Sequence, residues 1–236
     1  MLKKLLFSTG IIAFSLFFTS CIDCMEGNGK ISTRTVKLSD VTGINLSISA
    51  DILLVADSGE SLIIEGESNL IQEIQLDQRG NMLKISSEPC LSTNKPITIT
   101  IPVKTISELQ INGSGSIRSG SKFIASDLEL YINGSGDIDL AVDASDVVSK
   151  VNGSGNIILK GGAQKHRIQV NGSGDVKAEN FATGFVNIII NGSGNCKVMA
   201  TTGLNVKIRG SGSVYYSGTP DISTDVKGSG SLQKLN

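Results

Sequence analysis

Through the second half of the chain, apolar side chains return at alternate positions on both sides of one tripeptide, Gly-Ser-Gly, and the whole block recurs seven times. The copies are Gly113-Ser114-Gly115, Gly134-Ser135-Gly136, Gly153-Ser154-Gly155, Gly172-Ser173-Gly174, Gly192-Ser193-Gly194, Gly210-Ser211-Gly212 and Gly228-Ser229-Gly230. Successive copies start 21, 19, 19, 20, 18 and 18 residues apart. Two residues before each tripeptide stands a β-branched side chain: Ile111, Ile132, Val151, Val170, Ile190, Ile208 and Val226. Two residues earlier come Leu109, Leu130, Ser149, Ile168, Ile188, Val206 and Thr224, with a mixed set from Gln110 to Asp225 between the two columns. A period of two predicts a strand entering each tripeptide. On the far side, Ile117, Ile138, Ile157, Val176, Cys196, Val214 and Leu232 form another inward column, so a second strand leaves each turn.

Two strands around a turn also describe a hairpin, and Asn-Gly, a favoured hairpin turn, occurs at Asn112, Asn133, Asn152, Asn171 and Asn191. The constancy of the columns over seven near-equal intervals opposes that reading. The rest of each period, such as residues 141–147 or 160–165, reads as a small polar return segment. The pattern therefore predicts an all-β parallel β-helix, a β-solenoid with coils of about 18–21 residues, in which each strand pairs with its equivalent one coil away. Glycine then belongs at the corners, where the backbone takes positive φ or lies hard against the next coil. The seven serines are expected to stack and to satisfy corner backbone groups with their hydroxyls. Cys196, flanked in its column by Val176 and Val214, reads as a small buried hydrophobe.

Four segments organise the chain. Residues 1–20 carry a basic start at Lys3 and Lys4 and an apolar stretch of signal-peptide length, and end Phe18-Thr19-Ser20 before Cys21. That junction resembles a bacterial lipobox, with Cys21 the lipidated residue, and Ile22 behind it lacks the aspartate associated with inner-membrane retention; the expected destination is the outer membrane. Residues 21–30 form an anchor or linker. Residues 31–105 are β-rich and supply early coils or a cap, and residues 106–236 form the regular solenoid.

Without Lys3 and Lys4 the chain carries 19 basic and 22 acidic residues, a net charge near −3, which implies no nucleic-acid partner. Four of seven Phe lie in the signal segment and there is no Trp, which argues against an aromatic ligand platform. With Cys21 lipidated, Cys24, Cys90 and Cys196 are an odd number, and whether Cys24 and Cys90 pair stays open. The lone His166, between Lys165 and Arg167, reads as part of a solvated basic edge.

Catalysis finds little support in these residues. A nucleophile elbow is Gly-x-Ser-x-Gly and is needed once, whereas Asn-Gly-Ser-Gly recurs, and a Ser-His-acid triad has one histidine to draw on. The residue after each tripeptide is Ser116, Asp137, Asn156, Asp175, Asn195, Ser213 or Ser231, too few carboxylates for a calcium roll, so no metal or cofactor is implied. The enzyme alternative is a polysaccharide-acting β-helix, which needs clustered acids and sugar-stacking aromatics; the outward columns show no carboxylates paired on adjacent coils.

The repeated unit, as in residues 132–138 and 170–176, behind a lipobox and a β-rich region, resembles the auto-transporter adhesin family also called head GIN domain proteins. The resemblance covers about residues 29–232 and implies a right-handed β-solenoid on a bacterial cell envelope. The expected function is a lipid-anchored, non-catalytic binding or adhesion module whose face meets a glycan or a surface protein. A polysaccharide-acting enzyme and a homo-oligomeric envelope-structural protein stand as alternatives.

Overall fold

The computed structural model describes residues 24–235, and the signal segment 1–20 and Cys21 lie outside them. The chain opens with β1 (Met25–Glu26), β2 (Ile31–Lys37), β3 (Gly43–Leu46), β4 (Asp51–Ala56) and β5 (Ser61–Glu67), then a short helix, α1 (Ser68–Gln72). Next come β6 (Gln75–Arg79), β7 (Met82–Ser86), β8 (Leu91–Ser92), β9 (Thr98–Val103) and β10 (Glu108–Gly113). The repeat region holds β11 (Ser116–Gly134), β12 (Asp137–Gly153), β13 (Asn156–Gly172), β14 (Val176–Gly192) and β15 (Cys196–Gly210). It ends with β16 (Ser213–Ser217), β17 (Asp221–Gly228) and β18 (Ser231–Lys234).

From β10 onward each strand pairs in parallel with its equivalent one repeat away, which makes the fold a β-solenoid and not a string of hairpins. Ile111, Ile132, Val151, Val170, Ile190, Ile208 and Val226 stack in one column, in the register their spacing from Gly-Ser-Gly predicts. Cys196 is buried between Val176 and Val214, and burial pushes its thiol pKa up.

The return segments, expected to be small and polar with room for a short strand or turn, are strand and carry core residues. Each of β11 to β15 is strand almost all the way round its coil, and two further inward columns lie there. One runs Phe123, Val142, Gly161, Phe181; the other runs Leu128, Val147, His166, Val186, Leu204, Ile222. The register shifts between Arg118 and Lys122, between Ile158 and Lys160, and around Ala178 to Phe185 absorb the unequal repeat lengths. Bulges at one wall keep the other columns aligned.

At each corner the first glycine has φ between +123° and +140°. From Gly113 to Gly210 its carbonyl accepts two backbone N–H groups from the coil above, as Gly113 O does from Ser135 N at 2.9 Å and Gly136 N at 3.0 Å. A Cβ on Gly172 would be driven into the Gly153 carbonyl, and one on Gly174 into the Gly155 carbonyl and Val151. The serines contribute through their N–H groups; their side chains are exposed, so the expected corner role of the hydroxyls is corrected. Stacked amides flank the corner instead. Asn112, Asn133, Asn152, Asn171 and Asn191 form a head-to-tail ladder, each Nδ2 donating to the Oδ1 below at 2.8–3.0 Å, starting from Asn45. On the other side, Asp137 Oδ1 accepts the Asn156 N–H at 3.0 Å and Asp175 Oδ1 the Asn195 N–H at 2.8 Å. Burial of identical apolar columns plus satisfied edges makes the stack self-consistent.

Residues 31–105 supply two coils, out of sequence order, and the cap over them. β3 and β4 form the layer on which β10 and β11 stack, and β7 and β9 form the layer outside it. Beyond that, β6 turns antiparallel to β7, and β2 and β5 run antiparallel beside β9. α1 buries Leu70 and Ile71 over the open core, and Arg34 Nη1 donates to the carbonyls of Ile71 and Ile74 at 3.0 and 2.9 Å. Cys24 and Cys90 form a disulfide that closes a separation of 66 residues. A loop of that size corresponds to on the order of 4 kcal/mol in the chain-entropy account. Glu67, buried, accepts hydrogen bonds from Thr93 Oγ1 at 2.8 Å and Gly29 N at 2.6 Å, which hold its pKa below the ordinary value.

Gly113 has the corner φ of +133° but nothing near its absent Cβ, whereas Gly172 has both the φ of +131° and the carbonyl beneath it. Gly113→Ala is therefore expected to cost about 1–2 kcal/mol from backbone strain alone, and Gly172→Ala clearly more. Ser173→Ala is expected within about 0.5 kcal/mol of wild type. Urea unfolding of the three variants checks the order, and equal costs at the two glycines would refute the close-approach argument.

Candidate functional site

The wall that leads into the corners presents outward columns of mixed chemistry. The strand at Leu128–Ile132 turns Glu129 and Tyr131 outward; on successive coils the same places hold Val148 and Lys150, Arg167 and Gln169, Asn187 and Ile189, Asn205 and Lys207. Two shallow depressions share Arg167 and Asn187 and so form one groove across the coils. The larger, about 380 Å³, lies between Lys165, Phe185, Asn205 and Asp221. The smaller, about 290 Å³, is bordered by Tyr131, Lys150, Gln169 and Ile189.

Phe185, one of the few aromatics of the chain, is 55% exposed. Its ring takes the space that a side chain at Gly203 would need, with a ring carbon 2.8 Å from the position of that Cβ. The glycine on the next coil thus seats the ring on the groove floor. Arg167 is held by Asp146, Nη1 to Oδ1 3.2 Å. Lys150 Nζ lies 5.2 Å from the centroid of the Tyr131 ring, within cation–π range. Tyr131 donates its hydroxyl hydrogen bond to Glu129, and this bond, with burial, pushes the phenol up to about 12, so it stays a neutral donor. The groove combines an aromatic face, two apolar side chains and planar hydrogen-bonding groups, the composition of a binding surface.

Beneath the groove lies the chain's histidine. His166 is not on a solvated edge: it is 1% exposed, in the inward column between Val147 and Val186. The charged neighbours Lys165 and Arg167 point outward because strand side chains alternate. The same column read two residues upstream of Ser149 and its equivalents was the signal that could have placed it. Ser149, also buried, bonds to His166 Nε2 at 2.8 Å, and the imidazole packs edge-on against Phe181 with centroids 5.6 Å apart. Nδ1 has no hydrogen-bond partner among the described residues, so no acid orients the ring as a triad requires. Among the described residues no three His, Cys, Asp or Glu side chains converge to hold a metal ion.

The family model described as "Putative auto-transporter adhesin, head GIN domain" matches residues 40–220. This chain belongs to that family. Among solved structures, a "putative adhesin" from Bacteroides fragilis is similar with a TM-score of 0.83 at 24% identity, over 89% of this chain and all of the other. A "putative lipid binding protein" from Parabacteroides distasonis is similar with a TM-score of 0.75 at 28% identity, over 91% of this chain and all of the other. A "putative adhesin" from Parabacteroides merdae gives 0.73 at 20% identity, over 91% and all. Among curated proteins none matches.

Burial holds His166 at a pKa of about 3, against an ordinary value of 6.5. A depressed folded pKa contributes stability that is complete above 6.5 and is lost as pH falls from there toward 3, with a limiting slope of about 1.4 kcal/mol per pH unit for one proton. Urea midpoints followed between these limits are expected to fall for the wild type. His166→Val is expected to flatten the upper half of that range, before carboxylates such as Glu67 begin to protonate. An unchanged slope would place His166 in water.

Proposed function

We propose that this adhesin-family protein is a lipid-anchored module of the bacterial cell envelope that binds an extended ligand, a glycan or a surface protein, along the groove and carries out no catalysis. The observation that carries the reading is Phe185 seated on Gly203 beside Arg167, Asn187 and Asn205. An exposed ring stacks on the apolar face of a sugar or anchors a protein contact, and the amide and guanidinium planes supply directional hydrogen bonds. The family's adhesin description supports the binding role. The relative described as lipid binding raises an acyl ligand, but the solenoid interior is filled by its own columns and the groove is open, neither of which encloses a hydrocarbon chain. The lipobox before Cys21 supports the anchor, and the family supports the envelope location.

An array of bacterial and host glycans together with envelope proteins, probed with the full chain, tests this. Phe185→Ala and Arg167→Ala are each expected to weaken the captured ligand about tenfold without lowering the melting temperature. Wild-type binding by both variants would remove the groove from the reading. Cys21→Ser is expected to leave unprocessed precursor that takes up no labelled fatty acid; normal maturation of the variant would remove the anchor.

A further inference from the structure

The two ends of the core are finished differently. At the amino-terminal end α1 and the antiparallel strands cover the stack. At the other end, β17 places Ile222, Thr224 and Val226 in the inward columns beside Leu204, Val206 and Ile208 of β15. Leu204, Val206 and Ile208 are buried, while Ile222 and Val226 are 45% and 38% exposed and every residue of β17 is exposed. Among the described residues, β17 pairs only with β15, so its outer edge has no strand partner.

We propose that this outer edge pairs antiparallel with β17 of a second copy of this chain, about a two-fold axis at Thr224, joining two solenoids end to end through one continuous core. The register follows from the sequence of the strand. Residues opposite one another in an antiparallel pair share a face, so a self-pair that keeps Ile222 and Val226 inward must be centred on a residue rather than between two. Centred on Thr224, Ile222 faces Val226, Ser223 faces Asp225, and Asp221 faces Lys227 at both ends of the pair. Centring on Ser223 instead sets Asp221 against Asp225, and centring on Asp225 sets that residue against itself. Like charges directly opposite destabilise a pair, so of these three registers only the Thr224 one is complementary. Centring on Val226 also sets Asp225 against Lys227 but pairs β17 over residues 224–228 alone, whereas the Thr224 register uses the strand from Asp221 to Lys227. Edges kept solvated carry charges, inward-pointing ones above all, or a proline. β17 keeps Ile, Thr and Val at its inward positions, Pro220 precedes it, and its charges, Asp221, Asp225 and Lys227, lie on the other face, where the Thr224 register sets Asp221 against Lys227.

The symmetry has a consequence for adhesion, which rests on the anchoring proposed above. Nine strands stack from Ile85 to Val226, and at about 4.8 Å per strand each solenoid is roughly 40 Å long. Paired tips put the two amino-terminal ends at opposite extremes, facing two separate membranes.

Light scattering on the full chain in mild detergent is expected to give two copies per particle. Asp221→Lys and Lys227→Asp, both at exposed positions, are each expected to raise the dissociation constant by about tenfold or more. An equimolar mixture of the two variants restores the pair, because every opposition becomes Lys against Asp again. A single-copy wild type, a dimer indifferent to either charge reversal, or a mixture that stays monomeric overturns the proposal. Phosphatidylethanolamine–phosphatidylglycerol vesicles carrying one variant are expected to cluster only with vesicles carrying the other. Restored dimers in detergent without vesicle clustering uphold the pairing and overturn the anchored, membrane-bridging geometry.

Discussion

The repeat region depends on one contact made again from Gly113 to Gly210: the carbonyl of the first corner glycine, gripped by two backbone N–H groups of the coil above. For that grip to form, nothing larger than hydrogen can project from the glycine at the same place on the next coil, since a Cβ there would strike the carbonyl itself. The third position of the tripeptide obeys the same limit without needing positive φ. Once the corner is held, the register of the adjoining walls follows, because a one-residue slip would turn every inward column to solvent. The amide ladders either side of the corner repeat with it and satisfy polar groups that would otherwise compete for water.

With the corner and the inward columns spent on stacking, freedom to vary lies in the outward places of the walls. That is where the repeat breaks: Tyr131, Lys150, Gln169, Ile189 and Lys207 occupy one column, and no two neighbours in it have the same chemistry. A face of this kind suits recognition of something extended, whose contacts are spread over several coils. Its floor is shaped from below as well, since Gly203 leaves the space in which Phe185 sits. The buried Ser149–His166 pair beneath the groove is a local exception inside the core. Two polar residues in adjacent inward columns satisfy each other, at the cost of an orphaned Nδ1 and a ring that stays neutral.

The two ends answer the same physical problem in different ways. An open coil end exposes both a strand edge and apolar core. At the amino-terminal end the chain solves this within itself: after its first coil, β3 and β4, it reverses through β5, closes with α1 and β6, and only then lays down a second coil, β7 and β9, outside the first. The disulfide and the buried Glu67 carboxylate tie the first described residues onto that cap. The far end has no such device among the described residues.

A repeat with glycine at fixed places is legible because stacking demands the same residue at the same height in every coil. From it the sequence by itself determined the parallel solenoid, the columns running through Ile132 and Ile138, and the burial of Cys196. Where the repeat lengths differ, the columns lose alignment, so the third wall at Phe123 and Phe181 emerged only once register shifts at Arg118 and Ala178 were resolved in three dimensions, whereas the His166 column keeps a constant spacing from Gly-Ser-Gly and was legible in it. The out-of-order stacking of residues 82–103 outside residues 43–56, the Cys24–Cys90 pairing and the seating of Phe185 on Gly203 were likewise decided by tertiary structure. The first two join residues whose separation along the chain bears no relation to the repeat, and Phe185 and Gly203, although one repeat apart, make a side-chain contact that no other coil makes; spacing alone carries information only about contacts that recur.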